Sequence, residues 1–96
     1  VVDTLARRFK PQRVILFGSQ ARGDASEESD VDLLIVLAFS ESPNRMTSTM
    51  LGAIRPAYGF DLIPRTPDDV AERYAQGDPM IREAIDQGIV LYEAAA

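Results

Sequence analysis

The residues of this 96-residue chain with the most chemical promise are acids. Asp30 and Asp32 stand at i and i+2 at the head of the run DVDLLIVLA, the most apolar stretch of the chain. In a strand, alternate side chains share a face, so both carboxylates project together while Val31 and Leu33 turn the other way into a core. Two adjacent carboxylates repel and lose hydration, and a divalent cation offsets that cost. A pair of solvated acids at the mouth of a strand is the bland alternative. Asp61 lies between Phe60 and Leu62 in a short apolar run, where an acid is costly without a partner. Beside the Asp30–Asp32 strand it would complete a three-acid cluster; on an edge strand it would merely discourage sheet-to-sheet pairing. Gly18-Ser19 follows another apolar run, RVILF. Glycine allows close approach of backbone to a ligand, and the N–H groups of a helix start with a serine hydroxyl would suit phosphate oxygens. Arg22, one turn on, could clamp a phosphate. The same residues also make an ordinary strand–turn–helix, and no G-x-x-x-x-G-K-[ST] phosphate loop is present.

The elements that must position these residues follow from pattern. Val2, Leu5, Ala6 and Phe9 share a helical face closed by Pro11. Residues 13–17 form a buried strand, and Ser19 caps a short helix to Arg22, closed by Gly23. The polar segment 24–29 is a surface loop. A central strand spans 30–38, buried on both faces at its far end. After a turn at 40–44, a helix from about Arg45 to Tyr58 buries Met46, Met50, Leu51 and Ile54, with Pro56 bending or ending it. A third strand, Phe60–Ile63, stops at Pro64. Thr66-Pro67 and Asp78-Pro79 each open a helix, the second burying Ile81, Ala84 and Ile85 and ending at Gly88. Residues 89–92 form a last strand or a docked tail. The sum is one compact α/β domain over 1–96, with strand order left open.

Bulk composition narrows the chemistry. The chain has no cysteine and no histidine, which excludes disulfides, thiolate nucleophiles and a structural zinc site. Any metal must be a hard cation held by carboxylates, Mg2+ or Mn2+. A net charge of −5 with scattered basic residues does not favour direct nucleic-acid binding. With no signal-like segment and no apolar run of membrane-spanning length, a cytoplasmic location is expected.

Taken together, residues 17–37, FGSQARGDASEESDVDLLIVL, closely resemble the signature of the DNA polymerase β-like nucleotidyltransferase superfamily, in particular its minimal, MntA-like branch. Gly18, Ser19, Arg22, Gly23, Asp30 and Asp32 match that signature, Asp61 matches the later third acid, and the tail DPMIREAIDQGIVLYE is similar to the end of these small proteins. The resemblance implies a small mixed β-sheet with flanking helices. It implies that Gly18-Ser19 holds a triphosphate, that Asp30 and Asp32 hold two metal ions, and that Asp61 helps bind one metal and activate the attacking hydroxyl. It implies transfer of a nucleoside monophosphate, AMP from ATP, to a hydroxyl acceptor. Small members pair with all-helical HEPN proteins as antitoxins, so a HEPN-type partner, with one of its tyrosines as acceptor, or self-association is expected. The rival expectation is a non-catalytic antitoxin module that neutralises such a partner by occlusion, with the Met46, Met50 and Leu51 stripe as a possible interface.

Overall fold

Three helices begin with the same device, a capping side chain followed by proline. In a computed structural model that describes residues 1–23, 31–55 and 59–95, the Ser42 hydroxyl accepts from the Arg45 N–H at the start of α3 (Pro43–Ile54). Thr66 does the same for Asp69 at α4 (Pro67–Ala75). Asp78 accepts from Met80 and Ile81 at α5 (Pro79–Gln87). Each cap satisfies N–H groups that have no intrahelical partner, and proline at the first position has none to lose. Ser42-Pro43 therefore starts α3 inside the segment expected to be a turn. The helix ends at Ile54, with its cap Arg55 in the left-handed region directly before Pro56, one of the two outcomes expected of that proline; residues 56–58 lie outside the described residues.

Asp78 carries a testable charge effect. The Ile81 N–H does most to hold its carboxyl below the ordinary 3.8; desolvation opposes this, while the Met80 N–H and the Arg73 guanidinium add to it. A carboxyl depressed in the folded state stabilises the fold above the unfolded pKa, and that contribution disappears as pH falls through the folded value. Asp78→Asn keeps an accepting oxygen without the charge. Its melting temperature should fall short of the native chain's at neutral pH, and the deficit should vanish well below pH 3.8. A deficit independent of pH in thermal melts followed by circular dichroism would show that the charge contributes nothing.

The remaining elements are α1 (Val2–Phe9), β1 (Arg13–Phe17), α2 (Ser19–Arg22), β2 (Val31–Val36), β3 (Phe60–Arg65) and β4 (Ile89–Glu93). The strands form one mixed sheet in the order β3-β2-β1-β4. β1 is antiparallel to both β2 and β4, and β2 is parallel to β3. A parallel neighbour needs a crossover, and α3 supplies it. β3 continues through Pro64 to Arg65, beyond its expected end. Among the described residues it is an edge strand, where a residue without N–H is tolerated.

Strand alternation sorts the core onto two faces. Val14, Leu33, Ile35 and Leu62 pack with Leu5 of α1 and with Met46 and Met50 of α3. Ile15, Phe17, Leu34 and Val36 pack with Val70 of α4 and with Ile81 and Ala84 of α5. Met46 and Met50 are buried, at 7 % and 0 % exposure, so they belong to the core and not to an interface. β2 is buried on both faces from Leu33 onward, as a central strand should be. Among the described residues, no helix is long and apolar enough to cross a membrane.

Candidate active site

One end of the sheet collects the polar residues singled out above. β1 ends there at Phe17, and β2 and β3 both begin there. In the register, Asp32 lies opposite Phe17 on one side and beside Asp61 on the other. Residues in register on adjacent parallel strands share a face, with strands about 4.8 Å apart. Asp32 and Asp61 are therefore neighbours on the face whose next residues, Leu34 and Ile63, pack toward α4 and α5. Phe60, Leu62 and Val31 turn to the opposite face, as expected. Asp61 is exposed and Asp32 half-buried. β3 is both an edge strand of the described sheet and the direct neighbour of the strand of Asp32, so the position of Asp61 meets the condition of each reading. Asp30, the first acid of the motif, and the loop 24–29 lie outside the described residues.

Gly18 is fixed in place by two requirements. Its φ of 78° and ψ of −157° lie in a region open essentially to glycine alone. A Cβ built on it would also collide with Asp32 Oδ2 and come within 3.2 Å of Asp32 Cγ. The backbone of the turn thus lies directly against the carboxylate of β2. Gly18, not Ser19, occupies the cap position of α2; Ser19 is the first helical residue, and the cap residue makes no side-chain capping bond. The glycine conformation aims the turn itself, so the serine is not needed to start the helix. Gly23 closes α2 at φ 79°, as expected.

One participant was not foreseen. Glu83 of α5 accepts from the Gly18 N–H through Oε2 at 3.1 Å and from Arg22 Nη1 through Oε1 at 3.0 Å. In the sequence Glu83 is an ordinary polar position beside the apolar stripe of an amphipathic helix. Its partners lie 65 and 61 residues away, so no local signal could have found it.

The donor set suits a hard cation. Carboxylate oxygens are the ligands that magnesium and manganese prefer, and Asp32 and Asp61 are held side by side on strands. Among the described residues alone, no three potential ligands gather at one point.

Comparison with known proteins decides the family. Residues 1–92 match the model of the nucleotidyltransferase domain. The chain belongs to the nucleotidyltransferase domain family. Two Methanocaldococcus jannaschii proteins that carry the name protein adenylyltransferase, MJ0141 and MJ0604, are similar to a short stretch of this nucleotidyltransferase domain. The first is 71 % identical over 28 residues, 29 % of this chain and 28 % of its own length. The second is 62 % identical over 29 residues, 30 % of this chain and 29 % of its own length. Among solved structures, a toxin–antitoxin complex with AMP-PNP has the same fold, with a TM-score of 0.64 at 19 % identity over 97 % of this chain and 71 % of the other. A mutant of the toxin–antitoxin pair MntA–HpeT has a TM-score of 0.61 at 16 % identity, covering 97 % and 70 %. The mixed sheet with flanking helices is thus a fold that this nucleotidyltransferase domain shares with both structures.

Proposed function

We propose that this nucleotidyltransferase domain transfers AMP from ATP to a hydroxyl acceptor with the help of magnesium ions, and that the acceptor is a protein side chain. The observation that carries this is the in-register pairing of Asp32 with Asp61, with the Gly18 turn pressed against Asp32. This is where a nucleotidyltransferase needs its metal-binding acids and its phosphate turn. The motif spacing adds Asp30 as the third acid.

In this reading the triphosphate lies along Gly18 and Ser19, with Arg22 on a phosphate oxygen. Asp30, Asp32 and Asp61 would hold the metal ions. When bound, these supply charge neutralisation on the phosphates and a lower pKa for the acceptor hydroxyl. The acceptor oxygen forms a bond to the α-phosphorus as the bond to the pyrophosphate oxygen breaks. Asp61 would receive the acceptor's proton, or would serve as one of the residues that hold a metal ion. AMP ends on the acceptor, and pyrophosphate leaves. The protein named with each structural relative is a toxin–antitoxin pair, and the curated relatives carry the name protein adenylyltransferase. A tyrosine of a HEPN-type helical partner is the acceptor that the motif resemblance implies, and a protein acceptor is consistent with both sets of names.

Calorimetric titration with a non-hydrolysable ATP analogue tests the site without needing the acceptor. Binding should require magnesium. Asp61→Ala should retain nucleotide binding, weakened, while losing transfer when the partner is supplied. No binding with or without magnesium would overturn the reading in favour of a module that neutralises a partner by occlusion. Unchanged transfer by Asp61→Ala would return that residue to an edge-strand role.

A further inference from the structure

α2 places no residue in the core. It is four residues long, and its cap residue, Gly18, has no side chain to hold its first turn. A single turn is unfavourable on its own, because nucleation fixes several residues for one hydrogen bond, so its position must come from tertiary contacts. Glu83 supplies one at each end. Its two carboxylate oxygens separately take the Gly18 N–H, at the start of the turn, and Arg22 Nη1, at the last residue of the helix. α5, which carries Glu83, is itself anchored to the sheet through Ile81 and Ala84, exposed by only 0 % and 1 %. The carboxylate is thus a strut from a helix packed on the sheet to a short helix that has no buried residue of its own.

We propose that Glu83 is a positioning residue for the phosphate site. It holds the Gly18 turn and orients the Arg22 guanidinium, without touching the nucleotide. This rests on the reading of Gly18, Ser19 and Arg22 as the triphosphate-binding residues. Both contacts are charge-assisted, the stronger class of hydrogen bond. A guanidinium is a planar fork, so holding one nitrogen sets the direction of the others. Glu83 also cancels the charge of Arg22, so a carboxylate that merely occupied the site would compete with phosphate. The two roles predict opposite effects of removing it.

The probes are inorganic tripolyphosphate and a non-hydrolysable ATP analogue, each with magnesium, titrated calorimetrically into the full chain. Glu83→Ala should weaken both by about tenfold or more, the scale of losing charge-assisted bonds. Glu83→Gln keeps one accepting oxygen but turns an amide toward a donor, and should fall between the two. Once Arg22 is replaced by alanine, the effect of Glu83→Ala should shrink, because the strut then has less to orient. A purely structural role would leave that effect undiminished, since losses at independent sites multiply in affinity. Wild-type or tighter binding by Glu83→Ala, or an undiminished effect beside Arg22→Ala, would overturn the proposal. If Glu83→Ala does not fold, Glu83→Gln decides; failure of both to fold would make Glu83 a folding residue and overturn the proposal too. A native chain that binds neither probe would overturn the phosphate-site reading and this inference with it. Failure of the inference alone looks different, because the native chain then still binds both probes.

Discussion

Asp32→Asn should leave the domain folded and remove nucleotidyl transfer. Asparagine has nearly the same shape as aspartate, and position 32 is half-buried at the head of β2, where the buried core begins one residue later at Leu33. The melting temperature should therefore change little. The chemistry should not survive. The side chain loses its charge beside Asp61, and a neutral amide is a poor ligand for a hard cation that neutralises phosphate. Losing one electrostatic stabiliser of a transition state costs about 10²- to 10³-fold in rate, and loss of the metal site should exceed that. The assay is magnesium-dependent transfer of labelled AMP to the partner, with a thermal melt of the same sample. Full turnover by a folded Asp32→Asn protein would remove Asp32 from the catalytic set. Loss of turnover together with collapse of the melt would instead mean that the carboxylate holds the fold.

The fold was legible where local chemistry decides it. Pro67 and Pro79 after their caps, the β-branched run before Phe17 and the alternation around Asp61 all predict elements that form. Ser42-Pro43 carries the same cap-and-proline signal as the other two helix starts, so the earlier start of α3 was readable from one consistent rule. Less was legible where distant segments meet. That Asp61 belongs with Asp32 depends on β3 lying beside β2 in one register, and alternation within each strand fixes faces but not neighbours. The motif resemblance supplied that pairing in advance; residue pattern alone left it open beside an edge-strand role. The identity of the cap on α2 was missed because a serine before a helix normally acts as one, whereas the conformation of Gly18 takes over that position. Glu83 was out of reach altogether, since its bonds exist only once α5 has packed against β1.

Gly18→Ala should be among the most damaging single methyl additions in this domain, for two separable reasons. The first is conformational. An L side chain at φ 78° and ψ −157° is strained, by about 1–3 kcal/mol for such regions. In a domain of this size each kcal/mol lowers the melting temperature by about 4–8 °C. The second is steric and local, because the new methyl would occupy the space of the Asp32 carboxylate. Either the turn or Asp32 must move, and both belong to the proposed site, so transfer should fall below what the stability loss explains. The two causes can be separated in a double variant. Asp32→Ala removes the colliding carboxylate and leaves the backbone strain untouched. Combined with Gly18→Ala, it should recover the steric part of the lost stability, so the double variant should be more stable than the sum of the single losses predicts. It should not recover transfer, because Asp32 itself is gone. Additive losses in denaturant melts would show that the carboxylate turns aside without cost, and that glycine is needed at position 18 for its backbone conformation alone.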